Sequence, residues 1–291
     1  MSECNLIKID AVKTLIESVK DAIGVLYEPT RIRRKADAEA YALQVKERTR
    51  RSIEEENEIA NLEMIERIRE RKASLEITRQ QNIDDVVSNS MHLLANEQIE
   101  ELDKNLNKDW MVRFFDIVQD ISDKEMKEIW AQILASEVKS PDSFSFRTME
   151  LLRNITKSEA MLFMKIAKYV LSTDNDYFIL KDKNGELKEF GIMYEDIANL
   201  VEAGFIHPES NIQITFNFPT EDTDTISIHY GKKVVECKVR DKMMVIPSLP
   251  IYSITTFGKE ILRLIEIESS EDYIHFLETK LKGYIMPFTI K

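Results

Sequence analysis

Val234-Val235-Glu236-Cys237-Lys238-Val239 is the stretch whose residue types come nearest to a reaction. An apolar strand bearing Glu236-x-Lys238, with Asp224 upstream, has the layout of a metal-dependent nuclease core. There, two carboxylates hold Mg²⁺ and a lysine polarises the attacking water. The same residues satisfy a plainer requirement. In a strand of period two, Glu236 and Lys238 share one face and Val235, Cys237 and Val239 share the other, as a sheet with one wet face demands. A second Glu-x-Lys, Glu186 to Lys188, lies beside a turn, so the fragment recurs by chance in a chain whose residues are 32% charged. The expected role is therefore structural, with no catalytic residue assigned. The alternative is a nuclease using Asp224, Glu236 and Lys238.

Other chemistry finds less to build on. His92, His207, His229 and His275 are scattered one per element, without the close His or Cys spacing of a metal site. Neither a phosphate-cradling glycine loop nor a Gly-x-Ser-x-Gly elbow occurs, so no metal and no cofactor is expected. Lys and Arg number 40 against 52 Asp and Glu, and the resulting charge of -12 disfavours nucleic acid and anionic lipid as partners. The cysteines are Cys4 and Cys237 alone. Their spacing offers no disulfide framework, which points to a reducing compartment and a cytoplasmic location. No continuous apolar run is long enough to span a bilayer, and the N-terminus lacks a secretory pattern.

The elements that would position any site read mainly as helices, α+β overall. From Leu6 to Tyr27, Ile9, Val12, Ile16, Val19, Ile23 and Leu26 recur in steps of three and four, a seam offered to a partner helix. We expect homo-oligomerisation through it. Its mixed-sign polar side argues against the alternative, a membrane-peripheral helix. Residues 1–29 form this first module. Residues 30–82 follow as a long helix of strong helix formers, held by i,i+4 ion pairs over a thin apolar seam. Its basic clusters, Arg31 to Lys35, Arg48 to Arg51 and Arg67 to Lys72, are interleaved with glutamates, which cancels most of a phosphate-binding field.

Residues 83–171 form a central helical module, densest from Asp109 to Ala160. Ser122 with Glu125, and Thr156 with Glu159, read as capping boxes, and Pro141 marks the stop between them. Trp130 is expected in its core. Glu137 and a buried Arg147 are expected to bond each other and brace the loop from Ser140 to Phe146. Residues 172–291 alternate like strands between short helices. Within them, Tyr177 to Leu180 and Leu187 to Ile192 read as a hairpin about Asn184-Gly185, and Tyr194 to Ala203 as a helix closed by Gly204.

Ile121-Ser122-Asp123 through Trp130-Ala131-Gln132-Ile133-Leu134-Ala135-Ser136-Glu137, then Pro141 to Thr148, resembles bacterial proteins grouped as domain of unknown function 2806. Tyr27-Glu28-Pro29-Thr30 through Ala36 looks similar too, so the resemblance covers about the first 170 residues, to the end of the shared helical pattern. It implies an architecture and brings no catalytic residue. Relatives of this helical type occur among abortive-infection proteins, which associates the chain with phage defence. Leu200 to Ile206 and Tyr252 to Leu262 resemble the recognition helix and post-wing segment of winged-helix domains, with inserted antiparallel strands and an acidic surface that suits a protein partner. The reading is a helical scaffold or interaction protein.

Overall fold

Ala11, Leu15 and Val19 recur every fourth residue and are fully buried, so one face of α1 (Glu3–Ile23) is closed by other helices. Gly24 ends it in the left-handed region at φ 73°, with its N–H on the Lys20 carbonyl at 2.8 Å. The computed structural model describes residues 3–24, 59–96, 106–174, 176–181, 187–209, 211–216, 225–238, 248–282, 284–285 and 288–290, and the side chains only from 11 in α1 and from 62 in α2. The chain divides into two compact units, Met1–Phe146 and Arg147–Lys291. This boundary falls inside the expected 83–171 module and assigns its last helices to the second unit. Of the expected 30–82 helix, the part before Ile59 lies outside the described residues.

In the first unit α1 packs on α2 (Ile59–Asn96), α3 (Lys108–Val118) and α4 (Lys124–Lys139). Among the described residues, the second half of α2 carries bonds that tie it down. Arg79 Nε reaches Asp120 at 2.8 Å, Asn82 Nδ2 donates to the Gln119 carbonyl at 2.8 Å, and Lys127 Nζ meets Asp85 at 2.8 Å. The buried Ser90 hydroxyl lies 2.8 Å from the Val86 carbonyl and 3.0 Å from that of Ala131, close enough to be shared between α2 and α4. The core is aromatic: Trp110 stacks on Phe114 at 5.0 Å, and Phe114 meets the edge of Trp130 at 5.5 Å. The cap of α4 is Asp123, whose carboxylate accepts the Met126 N–H, in place of the expected Ser122.

The second unit begins with α5 (Phe146–Asn154) and α6 (Lys157–Ala167), and the Thr156–Glu159 capping box forms as expected. Among the described residues its sheet has seven strands, all antiparallel, in the order β3-β6-β2-β1-β4-β5-β7. These are β1 (Leu171–Ser172), β2 (Tyr177–Leu180), β3 (Gln213–Ile214), β4 (Thr225–Tyr230), β5 (Lys233–Lys238), β6 (Leu249–Ser253) and β7 (Thr289–Ile290). Alternation sets their faces: Ile226, Ile228 and Tyr230 are buried while Ser227 and His229 are exposed. The chain is thus mainly α, with an α+β C-terminal part.

Leu187 to Ile192 is not the second arm of a hairpin. It is a single 3-10 turn, Lys188–Phe190, closed by a bridge between Leu187 and Ile192, while β2 pairs with β1 and β6. The Asn184-Gly185 turn itself lies outside the described residues. After it come α7 (Tyr194–Glu202), then Gly204 at φ 83° as expected, α8 (Thr256–Leu262) and α9 (Glu271–Leu281). α8 lies so close to its neighbour that a Cβ on Gly258 would fall 2.6 Å from Ile254 Cγ2 and 2.7 Å from the Phe205 carbonyl oxygen. Gly258→Ala is expected to cost about 1–3 kcal/mol through this overpacking, read as a lower denaturant midpoint at unchanged slope.

Candidate functional site

β5 fixes the chemistry first considered. It pairs with β4 so that Glu236 faces Ser227 and Lys238 faces Thr225. Val235 and Cys237 are buried, whereas Glu236 is half-buried and Lys238 exposed, the alternation expected of a sheet with one wet face. Asp224 lies outside the described residues, and among the described residues no three His, Cys, Asp or Glu come together as a metal cage. Burial pushes the Cys237 thiol up to about 12, so it stays protonated at neutral pH.

A cleft of about 410 Å³ opens elsewhere in the second unit, and no local motif announces it. Sheet pairing makes it. β1 is paired on one side with β2 and on the other with β4, which sets Ser172 opposite both Tyr177 and His229. α8 and its cap then supply Lys259 and Arg263, four residues apart and so on one face of the helix. Lys259 Nζ lies 5.6 Å from the centre of the Tyr177 ring, a cation over an aromatic face. Asp174 follows β1 at the exposed rim, and Leu262 is the buried floor. The tight turn from β4 to β5 completes the wall. Gly231 sits there at φ 58°, the first position of a two-residue hairpin loop, and a Cβ would run into the Ile267 carbonyl. The lining can neutralise an oxyanion with Lys259 and Arg263 and offer hydroxyl and imidazole hydrogen bonds beside it.

Trp130 is fully buried, and its Nε1–H has no hydrogen-bond partner. Glu137 is buried and does brace the loop, but through backbone: Oε1 accepts from the Asp142 N–H at 2.7 Å and Oε2 from the Phe144 N–H at 3.1 Å. Arg147 is exposed, a correction to the expected buried partner. A carboxylate that already accepts two amides has little need of it. Asp142 sits at φ 64°, a strained position for a residue with a Cβ, held there by the Glu137 bond.

Burial raises the Glu137 carboxyl above the ordinary carboxylate range, and the amide bonds only partly oppose it. The folded protein therefore binds this proton more tightly than the unfolded chain, so the group's contribution to stability declines as pH rises from the ordinary carboxylate value through the raised one. Denaturation at stepped pH is expected to show that decline in the wild type and to find it flattened in Glu137→Gln. At neutral pH that variant is expected to lose about 1–3 kcal/mol, because one backbone N–H then faces an amide donor.

A family model described as protein of unknown function matches residues 66–278. The chain belongs to that family, DUF2806. No curated protein and no solved structure matches it. The DUF2806 match runs past the helical modules, takes in the sheet from β1 to β6 and contains the cleft, so it extends about a hundred residues beyond the part that carried the resemblance in sequence. Tyr27 to Ala36 lies outside the match and outside the described residues. The winged-helix likeness has no solved structure beside it.

In this DUF2806 chain α1 spends its apolar face inside the first unit. Of the expected seam, Val19 is fully buried, while Val12, Ile16 and Ile23 are half-buried; the Ile9 side chain and Leu26 lie outside the described residues. Large apolar side chains are left to solvent on α2, where Met64, Ile65, Ile68 and Leu75 are 48%, 39%, 37% and 44% exposed, as they also are at Val112 on α3 and at Met161 and Met164 on α6. Met64, Ile68 and Leu75 are spaced by four and seven residues, so they line one stripe. None of the described helices is long and apolar enough to cross a membrane.

Proposed function

We propose that the protein is a helical interaction scaffold that self-associates through the first half of α2. The observation that carries this reading is the stripe of Met64, Ile65, Ile68 and Leu75, large apolar side chains more than a third exposed on one face of a helix whose second half is bonded into a core. Isolated exposed residues of this kind are ordinary, but several on one helix face mark an interaction surface, here with Arg71 and Lys72 set between Ile68 and Leu75. Its charges support a second copy of the same chain as occupant. Between Leu62 and Glu76, Glu63, Glu66, Glu70 and Glu76 are balanced by Arg67, Arg69, Arg71 and Lys72, so the stripe is locally neutral in a chain of charge -12. Two copies can meet there without the repulsion that the rest of the surface would impose, whereas a nucleic acid or an anionic membrane would find no net positive field. The phage-defence role rests on the family resemblance alone.

Hydrogen exchange tests the location. Amides from Leu62 to Leu75 are expected to exchange more slowly as protein concentration rises, while those of α4 stay constant. Protection that is independent of concentration on α2 would overturn the proposal, and concentration-dependent protection confined to α1 would return the interface to the seam of Val12, Ile16 and Ile23.

A further inference from the structure

We propose that the cleft between β1, β4 and α8 binds a small phosphate ester carrying hydroxyl groups, a sugar phosphate in chemical class. This goes beyond the self-association reading and rests on different residues in a different unit.

The cleft has a polar division of labour. Lys259 and Arg263 project from successive turns of one helix face and supply the positive charge for a dianionic head group, with Arg able to grip two oxygens at once. Ser172 and His229, held opposite each other by the β1–β4 register, add hydrogen bonds on the strand side. Asp174 has the opposite character. A carboxylate at the mouth would repel a bare anion, but it accepts hydrogen bonds from hydroxyls, so the ligand it suits is anionic at one end and hydroxylated at the other. The exposed Tyr177 ring gives a flat wall on which the less polar face of a sugar ring can rest.

Size agrees with a single small molecule. About 410 Å³ lies within the roughly 300–1,000 Å³ of typical ligand clefts. A polymer would extend past Lys259 and Arg263 over a chain of net charge -12, an unfavourable field for its further phosphates.

Calorimetric titration of the full chain with ribose 5-phosphate, inorganic phosphate, ribose and succinate separates the contributions. Ribose 5-phosphate is expected to bind more tightly than phosphate, and ribose and succinate to bind weakly. Lys259→Gln and Arg263→Gln are each expected to weaken ribose 5-phosphate about tenfold or more, the worth of a charge-assisted bond. Asp174→Asn is expected to narrow the gap between ribose 5-phosphate and phosphate. Because Arg263 is exposed and Lys259 half-exposed, unchanged melting curves will show that these variants fold. No heat with any of the compounds, equal binding of succinate, or full affinity in the Lys259→Gln/Arg263→Gln double variant would each overturn the proposal.

Discussion

Trp130→Ala is expected to destabilise the first unit by about 3–5 kcal/mol, the usual cost of emptying a buried aromatic site, and thus to lower its melting temperature by roughly 10 °C. The ring is fully buried and meets Phe114 edge-on at 5.5 Å, so its removal leaves a cavity in the aromatic cluster and breaks a favourable ring pair. Trp130→Phe divides that loss into its parts. The Nε1–H of Trp130 has no partner, whereas the Nε1–H of Trp110 donates to the Phe144 carbonyl at 2.7 Å. Phenylalanine at 130 removes an unsatisfied donor along with some volume, and about 1 kcal/mol or less should be lost. Trp110→Phe leaves a buried carbonyl without its donor and should cost more. A melt that ranks the two phenylalanine variants the other way would show that volume, and not hydrogen bonding, governs both sites.

Tyr273→Ala is expected to have the matching effect in the second unit, again about 3–5 kcal/mol. Tyr273 is fully buried where rings converge, 5.2 Å from Tyr169, 5.2 Å from Phe190 and 5.8 Å from Tyr230. Here the conservative change should also hurt. β1 is two residues long and pairs with β2 along Tyr177 and Phe178, so the edge of β2 beyond it has no strand beside it among the described residues. The Tyr273 hydroxyl fills that place by accepting the Leu180 N–H at 2.9 Å. Tyr273→Phe orphans this buried amide and is expected to cost about 1–3 kcal/mol, although no ring contact is lost. Chemical denaturation of both variants provides the check, and a Tyr273→Phe protein as stable as wild type would contradict the hydrogen-bond account.

Local signals were legible in the sequence wherever a local force decides the outcome. Thr156 and Glu159 cap α6 because both partners of the box lie within one turn, and the β5 alternation places Glu236 and Lys238 on the wet face because a pleat has period two. Assembly decided the rest. The largest residues of α1 mark one seam, but a helix packed on three others buries a wider arc, and it is Ala11, Thr14 and Leu15 that disappear beside Val19. Charge alone pairs Arg147 with Glu137, yet nearby backbone amides reach the carboxylate first. The cleft could not be read at all. Its residues run from Val170 to Ile267, and only the strand order, which inserts β1 between β2 and β4, brings Ser172 against His229. The spacing of Lys259 and Arg263 was the one local sign, and in so charged a chain it has many equivalents.

Sedimentation equilibrium of the full chain, beside Ile68→Glu and Ile16→Glu, tests self-association through α2 most directly. The wild type is expected to show a concentration-dependent mass above 34.0 kDa. Ile68→Glu places a charge in the middle of the stripe without touching a core residue, and it should sediment as a monomer with its melting curve unchanged. Ile16→Glu should keep the wild-type association wherever it remains folded. A wild-type chain that stays monomeric at micromolar concentration, or an Ile68→Glu variant that associates as strongly as wild type, would contradict the account.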